Sequence, residues 1–308
     1  MAANNVSFEV PAGRTLGIVG ESGSGKSVTL RALIGLVQYP GQVVGGRVEF
    51  DGQDLLQLTP RQWRERRGRD IAMVFQDPMT SLDPLFTVGN QLMEVLRLKR
   101  GLSRRAARSE AEEYLDRVGI RSPGERLRAY PHELSGGMRQ RVMIALAIAP
   151  KPKLFLADEP TTALDVTVQD QILRLLSDLS AELQMGTVVV SHDLGVVAEV
   201  CDDVAVMYAG HVVERGPVAS VLQNPRHPYS EALANAVAQL AGPAGSNGGR
   251  RLDVPSGQPP LLTDLPPGCP FSPRCAFRRP ECSGIDMHLD GNPPMHATAC
   301  VVRQRSET

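Results

Sequence analysis

The chain has 308 residues, 42 % of them hydrophobic and 22 % charged, and a formal net charge of -1. That length allows a full core plus an appended module, with the balance of an ordinary soluble globular protein. Nothing in the near-neutral charge suggests a nucleic-acid binder or an acidic-membrane binder, and no run approaches the roughly 18 apolar residues of a membrane span. The opening MAANNVSFEV lacks the basic-then-apolar pattern of an export signal, so the cytosol is the expected compartment.

In chain order, TLGIVG (15–20), IAMVFQ (71–76), KLFLAD (153–158) and TVVVSH (187–192) are continuous apolar runs. Such runs read as strands with both sheet faces covered. Helical patterns alternate with them: KSVTLRALIGL follows the first, and VQDQILRLLSDLSAEL (168–183) precedes the fourth. The alternation predicts an α/β fold with a parallel sheet. Between residues 87 and 119 helices run without strands, and Ala107, Ala111, Leu115 and Val118 share one face at helical spacing. VMIALAIAP (142–150) has the length of a buried core helix. Near residue 240 the chain turns to AGPAGSNGGRRLDVPSGQPP, a Gly/Pro/Ser linker, and then to a short tail holding four of the five cysteines. The organisation read from this is a sheet domain over residues 1–238 with a helical subdomain at about 80–150, then a linker and C-terminal extension over 239–308.

GESGSGKS, Gly20–Glu21–Ser22–Gly23–Ser24–Gly25–Lys26–Ser27, lies between a buried strand and a helix and fits G-x-x-x-x-G-K-[ST]. Glycines let backbone N–H groups converge on phosphates, and the helix start adds partial positive charge. Lys26 is placed to reach β- and γ-phosphates and Ser27 to ligate Mg²⁺. In KLFLADE a hydrophobic strand ends in Asp158, which can hold Mg²⁺ through water. Glu159 follows, placed to polarise an attacking water. A second glycine element, LSGGMRQR (134–141), is more than one phosphate site requires.

LSGGMRQR ahead of LFLADEP, then ALD and SHD, resembles the ATP-binding cassettes of ABC transporters. The resemblance spans essentially the whole chain and implies a P-loop NTPase core with an inserted helical subdomain. It also implies that two cassettes sandwich ATP head to tail, with Ser135, Gly136 and Gly137 presented to the γ-phosphate held by the partner. By the same likeness Gln76 senses Mg²⁺ and the attacking water, Asp165 reaches across the interface, and His192 contacts the γ-phosphate. The family pattern also carries an aromatic residue stacked on adenine upstream of the phosphate loop. Phe8, the sole upstream aromatic, is expected in a strand facing the core. Roughly 20 or more further residues are therefore expected ahead of Met1, since losing the stacking costs on the order of 1 kcal/mol.

NPRHPYSEALANAV (224–237), LPPGCPFSPRCAFRRPEC and the late HATAC resemble the ATPase subunits of oligopeptide, dipeptide and nickel importers. That likeness implies a second cassette (identical or paralogous), two membrane permease subunits, an external peptide-binding protein, and a place on the cytoplasmic face of the membrane. Cys269, Cys275, Cys282 and Cys300 follow C-x5-C-x6-C-x17-C, without the C-x2-C pairs usual for structural zinc. The subfamily suggests a [4Fe–4S] cluster there, with zinc and free thiols as alternatives. Arg274, Arg278 and Arg279 are expected to offset its charge, and Cys201 to be a small core residue. A soluble cassette ATPase outside transport, or a regulator without turnover, are the competing functions; the intact Lys26, Asp158, Glu159 and His192 argue against the latter.

Overall fold

In the computed structural model the described residues are 1–75, 81–161, 164–241, 257–287, 289 and 296–304. The strands are β1 (Thr15–Val19), β2 (Glu49–Phe50), β3 (Gln53–Asp54), β4 (Ile71–Val74) and β5 (Leu154–Asp158). They continue as β6 (Gly186–Ser191), β7 (Asp203–Tyr208), β8 (His211–Pro217) and β9 (Ala297–Thr298). Helices α1 (Lys26–Leu33), α2 (Pro60–Arg66), α3 (Val88–Arg100), α4 (Arg104–Arg117) and α5 (Pro123–Arg126) occupy the first half. The second half has α6 (Gly136–Ile148), α7 (Val166–Leu183), α8 (Leu194–Val200), α9 (Val218–Gln223), α10 (Pro228–Ala241) and α11 (Val301–Gln304).

The main sheet has seven strands in the order β4-β5-β6-β1-β7-β8-β9. The four expected strands are its contiguous parallel half, β4-β5-β6-β1, and β7 extends the parallel pairing from β1. Every residue of β1 and β6 is buried, as their unbroken apolar runs require. The α/β fold with a parallel core is thus the observed one. The β7–β8 pair was not foreseen. It is an antiparallel hairpin whose two-residue turn, Ala209–Gly210, has φ of 45° and 83°. Two positive φ values in succession match the primed turn that suits the natural strand twist.

Ala107, Ala111, Leu115 and Val118 are each 0 % exposed, so the predicted face of α4 is the buried one. It packs with Val88, Leu92 and Leu96 of α3 and with Ile144 of α6 in one cluster that reaches Phe155 of the sheet. Side chains of Thr87 and Ser103 cap the starts of α3 and α4, accepting from Asn90 N and Ala106 N. On the opposite sheet face Leu16 and Ile18 of β1 pack with Leu30 of α1, and Phe8 rests partly buried against them as expected, outside any named strand. Cys201 is half-buried, packed between two clusters, and burial pushes its thiol up.

The tail is fastened to the sheet. β9 pairs antiparallel with β8, and Cys269, Phe271 and Cys282 share a cluster with Val206 and Tyr208 of β7 and Tyr229 of α10. Glu214 of β8, fully buried, accepts from Arg226 N at 2.8 Å and His227 N at 2.7 Å. His296 Nε2 lies 2.6 Å from the same carboxylate, and Arg226 donates to His296 O at 2.8 Å. A buried charge needs such partners, so RHPYSEAL folds as a clasp between β8 and the tail.

Candidate functional site

The phosphate loop connects β1 to α1. Gly20 must be glycine: a Cβ there would stand 2.1 Å from Met207 O and 2.9 Å from Ser24 Oγ. Gly23 and Gly25 turn the loop with φ of 79° and 99°, and Gly25 caps α1 in the left-handed region. Ser22 and Gly23 are exposed at the crown, whereas Ser24, Gly25 and Lys26 are buried. Lys26 Nζ donates to Gly20 O at 2.7 Å and Glu21 O at 3.0 Å, closing the loop on itself. Burial lowers its pKa, opposed by the carboxylates of Glu159, Asp158 and Glu21. Ser24 Oγ is buried and has no hydrogen-bond partner among the described residues. An unsatisfied hydroxyl under an open glycine crown fits a phosphate oxygen as its missing acceptor.

Asp158 ends β5 beside α1, and Ser27 Oγ donates to its Oδ1 at 2.8 Å. The carboxylate is 2 % exposed, and burial pushes its pKa up against the pull of the Ser27 hydrogen bond. Paired hydroxyl and carboxylate oxygens at a loop that takes phosphate are the donor set a hard cation such as Mg²⁺ prefers. Glu159 leaves the strand with φ of 47°, its N–H donating to Val190 O at 3.1 Å. A non-glycine residue in that region is uncommon and marks a side chain aimed by its backbone. His192, just past β6, places Nδ1 3.5 Å from Glu159 Oε2 and is 64 % exposed. The two expected catalytic side chains therefore meet. Gln76, expected to join them, lies outside the described residues.

Ser135 caps α6, its Oγ accepting from Met138 N at 3.3 Å, and the helix begins at Gly136. Ser135 and Gly136 are exposed. A Cβ on Gly137 would meet Val168 Cγ1 at 2.8 Å, so that glycine sets the approach of α7. Asp165 caps α7, accepting from Val168 N at 3.0 Å. Ser135 and Asp165 thus cap two neighbouring helices, and both face solvent.

Two residues that support the loop went unread in the sequence. Tyr229, 0 % exposed, accepts from Glu21 N through its hydroxyl at 3.0 Å. Its motif was visible only as a subfamily likeness. Arg274 was expected to offset charge at the cysteines, but its guanidinium is engaged by Glu21 and Tyr208. Arg278 and Arg279 are exposed.

Cys269, Cys275, Cys282 and Cys300 all line one cavity of about 20 Å³, and His227, Phe271, Phe277 and Ile285 are among the other residues of its wall. All five cysteines are free. Burial pushes Cys269 up to about 12 and raises Cys275 as well. Among the described residues no group of three or more His, Cys, Asp or Glu side chains stands in a metal-holding arrangement. The expected cluster therefore has no preformed site in the thiols as they stand, since the cavity has room for about one water.

The family model for ABC transporters matches residues 3–162, and that for the C-terminal region of oligopeptide/dipeptide transporters matches residues 213–282. The oligopeptide transport ATP-binding protein OppD of Salmonella typhimurium is 50 % identical over 299 residues, covering 97 % of this chain and 87 % of that protein. The dipeptide transport ATP-binding protein DppD of Escherichia coli is 47 % identical over 294 residues, covering 94 % and 88 %. Among solved structures, dimeric MJ0796, a bacterial ABC transporter cassette, is 32 % identical with a TM-score of 0.62, over 70 % of this chain and 90 % of that one. The same cassette in a post-hydrolysis state bound to ADP and Pi matches to the same extent. No helix among the described residues is long and apolar enough to cross a membrane. With a phosphate loop and strand-end carboxylates on one sheet and a helix start of Ser135, Gly136 and Gly137, the chain belongs to the ABC transporter family, as an ATP-hydrolysing cassette coupled to transport.

Proposed function

We propose that this cassette powers uptake of oligopeptides or dipeptides through a pair of membrane permease subunits, from the cytoplasmic face. The observation that carries the substrate class is the clasp of Glu214, Arg226 and His227, which lies within residues 213–282, where the oligopeptide/dipeptide C-terminal family matches. An external binding protein delivers the peptide, and a second cassette, identical or paralogous, completes the ATP sandwich. Residues 1–238 form the cassette, with its helical subdomain at about 80–150, and residues 239–308 the extension.

In this reading Gly20 to Ser27 hold the triphosphate, while Ser27, Asp158 and Gln76 attend Mg²⁺. The ion, when bound, supplies charge neutralisation along the transferring phosphoryl group. Glu159 holds the attacking water and accepts its proton, and His192 keeps that carboxylate oriented from 3.5 Å. Ser135, Gly136 and Gly137 meet the partner's γ-phosphate at a helix start, where the helix dipole favours an anion. Asp165 reaches the opposite site.

The four tail thiols take a sulfur-ligated metal group, a [4Fe–4S] cluster being the reading and zinc its alternative. Support comes from four free thiols on one cavity. Cys269 and Cys275, whose thiols burial keeps protonated, release protons when metal binds, and the bound group stitches a short tail together.

Purification from membranes under mild detergent tests the transport role. The chain should bring two integral membrane proteins with it, and ATP hydrolysis by that complex should rise with a peptide-loaded binding protein. A chain recovered alone from the soluble fraction, hydrolysing ATP at full rate, would favour the soluble ATPase instead.

A further inference from the structure

Glu21 is an awkward occupant of a loop that receives phosphate, because its carboxylate opposes the charge of the ligand. The chain answers it from 253 positions away. Arg274 Nη1 donates to both carboxylate oxygens of Glu21, at 3.1 and 2.9 Å, and to Tyr208 Oη at 3.1 Å. The Arg274 side chain is 7 % exposed and that of Glu21 29 %, so solvent screens this pair only partly. The guanidinium also lies over two rings, 5.7 Å from the Tyr208 centroid and 5.9 Å from that of Phe271.

Arg274 belongs to the short 3-10 turn Ser272–Arg274 and directly precedes Cys275, which lines the thiol cavity. Phe271, 1 % exposed, anchors the other end of that turn between Tyr208 and Tyr229. The packing that closes the cavity therefore fixes the guanidinium. Tyr229 meanwhile holds the Glu21 backbone N–H. Glu21 is thus gripped by main chain and side chain from the C-terminal part of the molecule.

We infer that Arg274 is a positioning residue of the nucleotide site: it neutralises Glu21, so ATP affinity depends on the seating of the cysteine tail. The inference rests on the reading of Gly20–Ser27 as the ATP phosphate loop. Removing Arg274 leaves a bare carboxylate beside the incoming triphosphate. The expected loss is about tenfold in Kd, equivalent to about 1.4 kcal/mol. By reciprocity, bound ATP must hold the tail more firmly by the same factor.

The test measures the Mg-ATP Kd of the full chain as isolated, in a double-mutant cycle. Arg274→Ala should weaken binding about tenfold with Glu21 present and by less than about twofold in a Glu21→Gln background, because the charge to be neutralised is gone. Arg274→Lys should recover part of the loss. Hydrogen exchange over residues 271–282 should slow on adding Mg-ATP, and slow less in Glu21→Gln. An equal loss in both backgrounds, or no loss in either, overturns the inference. If Arg274→Ala does not fold, Arg274→Lys in the two backgrounds decides by the same comparison. Lys26→Ala separates the two readings: wild-type affinity in that variant sinks the phosphate-loop assignment itself. Weak binding in Lys26→Ala with unchanged Arg274→Ala sinks only the role of Arg274.

Discussion

Tyr229→Phe removes one oxygen and leaves the ring stack intact, which isolates a single hydrogen bond at the phosphate loop. The Tyr229 hydroxyl is the acceptor for Glu21 N at 3.0 Å, on a side chain with 0 % exposure. Its ring packs against Tyr208 at 4.7 Å and Phe271 at 5.5 Å between centroids, contacts that phenylalanine keeps. The cost is therefore that of a donor left without its acceptor, about 1–3 kcal/mol. For a folded unit of this size that lowers Tm by several degrees, at roughly 2–4 °C per kcal/mol. Because the freed N–H belongs to the second residue of the loop, ATP affinity should fall too, with kcat changing less than KM. Differential scanning fluorimetry with and without Mg-ATP reads both effects, the variant showing a lower Tm and a smaller rise on adding nucleotide. A variant with wild-type Tm and an undiminished ATP shift would refute the claim that α10 supports the loop.

Glu159→Gln should leave Mg-ATP binding in place and cut hydrolysis by about 10²–10⁴-fold, trapping the closed dimer; turnover in the complex at the wild-type rate would remove Glu159 from the role of base. Ser135→Arg should abolish ATP-driven dimerisation, followed by light scattering, while nucleotide still binds at Lys26 of the same chain. His227, pushed down to about 4 by burial despite the nearby Glu214, has Nδ1 accepting from Tyr229 N at 3.1 Å. Its folded pKa lies below the unfolded value near 6.5, so its stability contribution is complete above that pH. The contribution is lost as pH falls from about 6.5 toward about 4, which His227→Gln should blunt in a pH series of melts. Protein prepared without oxygen should be brown, with about four irons and four sulfides per chain, and Cys275→Ser should bleach it; one zinc and no iron would assign the thiols to zinc.

What the sequence made legible is what neighbouring residues decide. The buried strands β1, β5 and β6 announced themselves as unbroken apolar runs, and α4 by the spacing of Ala107, Ala111, Leu115 and Val118. The phosphate loop, Asp158 and Glu159 are local patterns on those strands, so their meeting with His192 followed from the alternation of strand and helix. The pairing of β8 with β9 and the reach of Arg274 to Glu21 were not legible. They join segments far apart in the chain, and no period or composition encodes which distant partner a buried carboxylate will find. Arg274 shows the difference well: three arginines near four cysteines suggested one shared purpose, yet its burial against Tyr208 and Phe271 points it at the nucleotide loop instead. The volume of the thiol cavity was equally hidden, since spacing counts ligands and cannot measure the room between them.

Peptide uptake into proteoliposomes holding the purified complex tests the central claim most directly. With labelled oligopeptide and its binding protein outside and Mg-ATP inside, the account predicts uptake with wild-type cassette and none with Lys26→Ala or Glu159→Gln. Uptake that persists with Lys26→Ala, or a complex that hydrolyses ATP under peptide without moving it, would contradict the account.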